Sequence, residues 1–157
     1  MQQERKAPVL TESQFKQVVA AARAHGESER NVALLYFSFA LGLRAKELSQ
    51  LLIRDVVNPD GKIKDEVLLT RAATKGRKQR LVYLTNKDVR KALATYLHAR
   101  QDKNAFPPSP TSPVFMSRKG GAFSPNTMQM LFKRMYCWAG FDHASSHSGR
   151  RTFVSAP

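Results

Sequence analysis

The chain has 157 residues, of which 42% are hydrophobic, and its 26 Lys and Arg against 12 Asp and Glu give a formal charge of +14. This length and composition suit one globular domain and exclude a disordered chain. The charge favours a polyanionic partner, but the longest apolar stretch, 32–43, is too short to cross a bilayer, so no membrane partner is expected. The single cysteine, Cys137, excludes an internal disulfide, and its apolar neighbours predict a buried thiol in a reducing cytoplasm.

The first third of the chain predicts three helices in succession. A stripe of apolar residues with helical spacing predicts a helix over 11–25, and Ser28 caps a second one over 28–41. Gly42 is expected to end that helix, because glycine is common just after a helix. A third, short helix then begins at once and covers 44 to 51 or 52.

The remainder of the chain predicts a hairpin and further helices. A turn signal at 58–61 precedes two β-rich runs, 67–70 and 81–84, which flank a basic loop at 75–80. Further helices are predicted over 86–100, over 124–139 and from about 145 onward. The expected fold class is therefore mainly α with a small antiparallel β-sheet (α+β).

The first of three basic clusters is "GLRAKEL", residues 42–48. Arg44 follows the glycine break and begins a helix, where an anion is favoured. Glu47 is three positions further on, so it shares a helical face with Arg44 and can hold the guanidinium in place. The alternative is an ordinary surface ion pair, worth at most about 1 kcal/mol.

The other two clusters are "TKGRKQR" (74–80) and "HSGRR" (147–151). Lys75 sits at the hairpin tip, from where it can enter a DNA groove; the alternative is a solvated loop whose charges discourage edge pairing. His147 and Arg150 are three positions apart near a helix start and can grip one phosphate, or they form an ordinary surface helix end. Arg151 points about 100° away, as a backbone-phosphate contact or a surface charge.

In this order the clusters resemble the tyrosine recombinase (phage integrase) family. "GLRAKELSQLLIRDV" is similar to the family's first arginine box, "TKGRKQRLVYL" to its β-hairpin lysine segment, and "HSGRRTF" to the start of its His-x-x-Arg box. The resemblance runs from about Leu10 onward and implies an incomplete tyrosine-recombinase catalytic-domain fold. Residues 1–10 would be an N-terminal tail, and 11–157 a catalytic domain lacking its C-terminal tyrosine segment.

The resemblance implies a role for each matching residue. Arg44 and Arg150 would clamp the scissile phosphate, with Glu47 supporting Arg44. Lys75 would donate a proton to the leaving 5′ oxygen, and His147 would accept a proton or donate a hydrogen bond. Further DNA-binding residues would be Lys46, Arg77, Lys78, Arg80 and Arg151.

The chemistry explains these residue types. A phosphodiester under attack gains negative charge on its non-bridging oxygens, and paired guanidiniums bind those oxygens while staying charged. A poor leaving group needs an acid, which a lysine can be. Two arginines and a lysine can therefore replace a metal, and the scattered acidic residues form no paired-carboxylate motif for Mg²⁺. No metal and no nucleotide cofactor is expected.

The sequence departs from the family pattern at its nucleophile. The family's tyrosine follows the His-x-x-Arg box, but all the tyrosines here precede His147, and none is assigned as nucleophile: they are Tyr36, Tyr83, Tyr96 and Tyr136. Tyr96 and Tyr136 have the helical spacing of core residues. Gly149 also replaces the box's usual apolar residue, and Arg151 its usual histidine.

The resemblance implies site-specific DNA recombination through a 3′-phosphotyrosine in the complete protein. The expected partners are double-stranded DNA and further recombinase protomers, and the expected location is the cytoplasm, at the nucleoid. This chain by itself should bind DNA without forming a covalent intermediate. Three alternatives stay open: a decayed integrase kept as a DNA-binding or regulatory protein, a basic RNA-binding protein, and a recombinase whose tyrosine comes from a partner chain.

Overall fold

The computed structural model describes residues 10–69, 79–100 and 106–144. Within these ranges the chain forms six helices and one two-stranded sheet, in the order α1 (Glu12–Arg23), α2 (Ser28–Leu41), α3 (Ala45–Gln50), α4 (Ile53–Val56), β1 (Glu66–Leu69), β2 (Arg80–Tyr83), α5 (Lys87–Ala99) and α6 (Pro125–Trp138). This mainly α architecture with a small antiparallel sheet confirms the predicted fold class. The last predicted helix, from about 145, lies outside the described residues.

Most helices begin and end where local chemistry predicts. Thr11 Oγ1 accepts the backbone N–H of Gln14 at 3.1 Å, and Gln14 Oε1 accepts the N–H of Thr11 at 2.9 Å, a reciprocal cap of α1. Gly42 ends α2 with φ 68°, in the left-handed region. Asn86 and Ser124 each accept a backbone N–H from the first turn of α5 and α6.

One prediction about the first helices was wrong in detail, and one short helix was missed. Ser28 is the first residue of α2 rather than its cap, and Glu27 takes the cap position with φ 59° and no side-chain cap. The short helix α4 was not predicted, because its four residues are too few to show a helical period. Its start is held by the N–H of Leu52, which donates to Asp55 Oδ2 at 2.9 Å.

Helix α2 lies at the centre of the packing, against α1 and α5, while α6 packs against α1 and α3. Phe15 of α1 stacks on Phe39 at 4.0 Å between ring centroids, and Phe37 meets Phe115 edge-on at 5.4 Å. These contacts hold α2 on the core, so the junction between α2 and α3 is held on the core as well. No helix in the described ranges is long and apolar enough to cross a bilayer.

The two strands pair antiparallel, with Leu68 opposite Leu81 and Leu69 opposite Arg80. Each strand begins one residue earlier than predicted, so Arg80 belongs to β2 rather than to the preceding loop. Leu68 and Leu81 are exposed, whereas Val67 and Leu69 are buried. Because directly opposite residues share a face of the sheet, Arg80 lies on the inner face, with Leu69.

The prediction of a buried Cys137 was wrong: the thiol is free and its residue exposed. Helix α6 buries one stripe of residues at helical spacing, Met128, Leu131, Phe132, Met135 and Tyr136. Cys137 lies about 100° beyond Tyr136 around the helix, which takes it off that stripe. Its apolar neighbour Trp138 stacks on His25 at 3.8 Å between ring centroids instead of covering the thiol.

Candidate phosphate-binding site

Arg44 lies at the junction where α2 ends and α3 begins. Gly42 adopts the left-handed conformation that glycine reaches without steric cost, and Leu43 is buried directly after it. Arg44 then has an extended backbone and immediately precedes the first turn of α3. The buried Leu43 anchors this turn in the core, while the Arg44 side chain stays 30% exposed.

Glu47 has a fully buried side chain at the same junction. Its Oε1 atom accepts the backbone N–H of Arg44 at 2.8 Å. Its Oε2 atom lies 3.6 Å from Arg44 Nη1, within ion-pair distance but too far for a hydrogen bond. A buried carboxylate loses several kcal/mol of hydration. This pair therefore differs from the exposed surface ion pair that was the alternative reading of the sequence.

Arg80 supplies a second cation to the same carboxylate. Its Nη2 donates to Glu47 Oε1 at 2.6 Å, and its side chain is 32% exposed. Among the described residues, the buried Arg80 Nε has no hydrogen-bond partner. The sequence predicts Arg80 to bind DNA, and that role stays a prediction. Arg44, Glu47 and Arg80 are called the junction cluster below.

The contact between Arg80 and Glu47 is the feature that sequence reasoning missed. The two residues are 33 positions apart and lie on a strand and a helix. One signal was available, since alternation in the strand "RLVY" places Arg80 and Val82 on the same face. The sequence did not indicate which side chain that face meets.

One other predicted site residue lies in the described part of the chain. Lys46 is exposed on α3, and its carbonyl accepts the Ser49 hydroxyl at 2.7 Å. The remaining candidates lie outside the described residues: Lys75, Arg77, Lys78, His147, Arg150 and Arg151. The structure thus brings together Arg44, Glu47 and Arg80, and the roles assigned to all these residues stay predictions.

Other arginines hydrogen-bond to backbone carbonyls rather than to a carboxylate, although Arg90 Nη1 also lies 3.6 Å from Oδ1 of the exposed Asp65. Arg90 donates from Nη1 to the carbonyl of Lys64 and from Nη2 to that of Ile63, both at 3.0 Å, and also to the carbonyl of Leu84. It thereby ties the start of α5 to the two segments that flank the hairpin. Arg90 is a structural clamp, although the composition alone counts it as part of the positive surface.

Arg30 has a similar packing role near the start of α2. Its Nη1 donates to the carbonyl of Met116 at 3.1 Å and its Nε to Asn31 Oδ1 at 3.0 Å. Its guanidinium also lies over the Phe123 ring, 5.2 Å from the centroid. Burial lowers the pKa of the Arg30 guanidinium from its ordinary value, and Glu27 partly opposes that effect. Arg30 therefore belongs to the packed interior.

The tyrosines lie in different environments. Tyr96 and Tyr136 are buried, which confirms their expected core placement, whereas Tyr83 is 58% exposed on the outer face of β2. The Tyr96 hydroxyl accepts the backbone N–H of Met116 at 2.9 Å. Burial raises the pKa of that hydroxyl, against a smaller opposing effect of the hydrogen bond. A buried phenol with such a partner supports packing rather than strand cleavage.

A groove of about 860 Å³ lies between the start of α2 and helix α6. Basic and apolar side chains line it, including Arg30, Arg134 and Trp138, but no member of the junction cluster does. This groove is thus separate from the candidate phosphate-binding residues. Within the described ranges, no three His, Cys, Asp or Glu side chains are grouped so that they could hold a metal ion.

Comparison with known protein families matches residues 8–156 to the phage integrase family. Among curated proteins, the chain is 31% identical over 127 residues to tyrosine recombinase XerC of Pelobacter propionicus (strain DSM 2379 / NBRC 103807 / OttBd1). That match covers 80% of this chain and 38% of the relative. The chain thus spans well under half the length of this relative.

Solved structures show the same fold. The crystal structure of XerA recombinase matches with a TM-score of 0.74 and 23% identity, over 98% of this chain and 50% of that one. XerH recombinase bound to palindromic difH substrate, in a post-cleavage complex, matches with a TM-score of 0.66 and 21% identity, over 94% of this chain and 41% of that one. The described helices and hairpin therefore have the tyrosine-recombinase catalytic-domain fold.

Proposed function

We propose, since this chain belongs to the phage integrase family, that it is the DNA-binding catalytic-domain portion of a tyrosine recombinase and acts in site-specific DNA recombination. Residues 11–157 would form that portion. One observation carries the proposal: Arg44 stands partly exposed beside a fully buried carboxylate that also binds its backbone N–H. Such an anchored cation is suited to holding a phosphate.

The geometry of Arg44 supports phosphate binding in a particular way. A guanidinium remains protonated at any relevant pH and binds phosphate oxygens through paired N–H donors. The buried Glu47 carboxylate attracts this group, but the 3.6 Å contact is longer than a hydrogen bond. Glu47 can therefore orient the guanidinium without consuming the donors that a phosphate needs. Charges oriented before the reaction usually make the largest catalytic contribution.

The remaining roles complete the proposed reaction. Arg44 and Arg150 bind the non-bridging oxygens of the scissile phosphate. Lys75 protonates the leaving 5′ oxygen, and His147 accepts a proton or donates a hydrogen bond. In the complete protein, a tyrosine oxygen bonds to the phosphorus as the bond to the 5′ oxygen breaks, which leaves a 3′-phosphotyrosine. The guanidiniums and the ammonium group supply the positive charge, so the reaction needs no metal and no nucleotide.

The proposed partners are double-stranded DNA and further protomers of the recombinase. The formal charge of +14 supports a polyanionic partner. Among the structural neighbours, XerH was solved on its difH substrate, which places DNA on a protein of the same fold. The corresponding place of action is the cytoplasm, at the nucleoid.

Binding to duplex DNA tests the role of Arg44. We expect Arg44→Gln to bind a duplex about tenfold more weakly and to reduce the slope of log affinity against log salt by about 1, because one phosphate contact is lost. Arg54→Gln is a matched control, since Arg54 is exposed on α4 and its loss changes the net charge equally. Equal binding by Arg44→Gln and Arg54→Gln would contradict the proposed site. Preference for structured RNA over duplex DNA would contradict the proposed partner.

A further inference from the structure

We propose that Arg80 is a positioning residue: by holding the Glu47 carboxylate from β2, it keeps the Arg44 guanidinium available to a phosphate. This role rests on the proposed function of Arg44. It differs from the direct DNA contact that the sequence suggests for Arg80. The observation behind it is that one buried carboxylate joins a strand residue and a helix-junction residue.

The two oxygens of Glu47 are used differently. Oε1 accepts two hydrogen bonds, from Arg80 Nη2 at 2.6 Å and from the Arg44 backbone N–H at 2.8 Å. These bonds fix the carboxylate plane. Oε2 has no hydrogen-bond partner within the described part of the chain and lies 3.6 Å from Arg44 Nη1. Arg80 therefore satisfies the oxygen that does not face the Arg44 guanidinium.

The place of Arg80 in the sheet supports this assignment. The register puts Arg80 opposite the buried Leu69, on the face of β2 that packs inward, whereas Leu81 points out. Its Nε atom is buried. An arginine selected for DNA contact alone would have no need of an inward position with a buried nitrogen. The strand thus delivers a second cation to Glu47 from an element other than α3.

Electrostatics then predicts what the loss of Arg80 would do. Without it, Arg44 is the remaining cation on Glu47 among the described residues. A buried carboxylate strongly favours a close, hydrogen-bonded cation. We expect it to draw the Arg44 guanidinium inward, shortening the 3.6 Å contact and engaging donors that would otherwise meet the phosphate.

A double-mutant cycle on duplex DNA tests this role. Arg80→Gln is expected to weaken binding about as much as Arg44→Gln, roughly tenfold, and the double variant to bind no more weakly than either single variant. Arg54→Gln serves again as the charge-matched control. If Arg80 contacts DNA independently, the affinity loss of the double variant should equal the product of the two single losses, and its salt slope should fall by about 2. That result would overturn the proposal. Binding of Arg80→Gln equal to that of Arg54→Gln would overturn it too.

The effect of Arg80 should also depend on Glu47. In a Glu47→Gln background, Arg80→Gln should leave DNA binding unchanged, because there is no buried charge to compensate. An equal loss in both backgrounds would contradict positioning. Circular dichroism and thermal unfolding check that each variant folds. If Arg80→Gln does not fold, DNA binding by Glu47→Gln is compared with binding by Glu47→Gln/Arg80→Gln, neither of which contains an uncompensated buried charge. Weaker binding by the double variant would then contradict positioning. If Arg44→Gln binds DNA as tightly as Arg54→Gln, both the proposed function and the positioning role fail. If Arg44→Gln binds more weakly but Arg80→Gln binds as tightly as Arg54→Gln, only the positioning role fails.

Discussion

Arg44 and Arg90 expose nearly the same fraction of their side chains, 30% and 32%, and each lies 3.6 Å from a carboxylate oxygen, but the carboxylate beside Arg44 is fully buried (Glu47) whereas the one beside Arg90 is 90% exposed (Asp65). Arg90 hydrogen-bonds to carbonyls of Ile63, Lys64 and Leu84 and closes the base of the hairpin. Arg44 faces a buried carboxylate at a distance too long for a hydrogen bond. The difference teaches that neither exposure nor ion-pair distance separates the two arginines; the burial of the carboxylate and the hydrogen bonds of the guanidinium do.

The same contrast separates whole regions of the molecule. Around the hairpin base and the start of α2, Arg90 and Arg30 bind neutral oxygens and act as cross-links. In the junction cluster, two arginines share one carboxylate and the cluster keeps a net positive charge. Within the described residues, the carbonyls occupy the Arg90 donors, whereas the Arg44 guanidinium makes no side-chain hydrogen bond and keeps its donors for an external anion. The two regions should therefore respond differently to substitution.

The largest stability effect is expected at Arg90. Arg90→Ala removes hydrogen bonds to three carbonyls, which at about 1 kcal/mol each lowers the free energy of unfolding by about 3 kcal/mol. DNA affinity of the folded protein should stay within about twofold of wild type, as for a charge lost outside the phosphate contacts. Urea unfolding and duplex binding check the two parts. A tenfold loss of DNA affinity with little loss of stability would erase the distinction between the two regions.

A smaller stability effect, accompanied by a loss of binding, is expected at Glu47. Glu47→Gln keeps the side-chain shape but removes the charge from its hydrogen bonds, which should cost about 2 kcal/mol of stability. It should also weaken duplex binding, because Arg44 loses its anchor. The matched control is Glu29→Gln at an exposed position of α2, which changes the net charge equally.

Glu47→Gln and Glu29→Gln together separate the positioning of Arg44 by Glu47 from the effect of net charge on DNA binding. Each raises the net charge by one, so electrostatic attraction alone predicts that both bind DNA more tightly. We expect tighter or equal binding for Glu29→Gln and weaker binding for Glu47→Gln in titrations at one salt concentration. Tighter binding by both variants would show that Glu47 does not position Arg44.

The smallest effect is expected at Tyr96, a neutral group in the packed region. Tyr96→Phe leaves the Met116 N–H without its acceptor and should cost about 1 kcal/mol. Burial raises the pKa of Tyr96 above its ordinary value of 10.0, so its contribution is complete below pH 10 and is lost as the pH rises through the folded-state pKa.

Unfolding measured between pH 8 and pH 11 checks this sign. Above pH 10, the stability of wild type should fall more steeply than that of Tyr96→Phe. The control is Tyr83→Phe, which removes a phenol hydroxyl at the exposed position on β2 instead of in the core. Parallel curves for Tyr96→Phe and wild type would contradict the inferred pKa shift.

Local signals predicted the helices well where a few neighbouring residues decide the structure. The sequence predicts helices that begin at 11, 86 and 124 and one that ends at Gly42, and the structure has helices beginning or ending beside each of these positions. The four-residue α4 was missed because it carries no period. The exposure of Cys137 was missed because apolar neighbours in sequence do not share its helical face.

The sequence by itself determined the order of the described helices other than α4, the hairpin, the positive charge and the motif spacing that marks the phage integrase family. These depend on contacts within a few residues or on composition. Only the tertiary structure decided that Glu47 is buried and that Arg80, 33 residues away, binds it from the neighbouring strand. The reason is physical: the partner of a side chain is set by the packing of α3 against the rest of the fold, and residues distant in sequence meet only when the whole chain has folded.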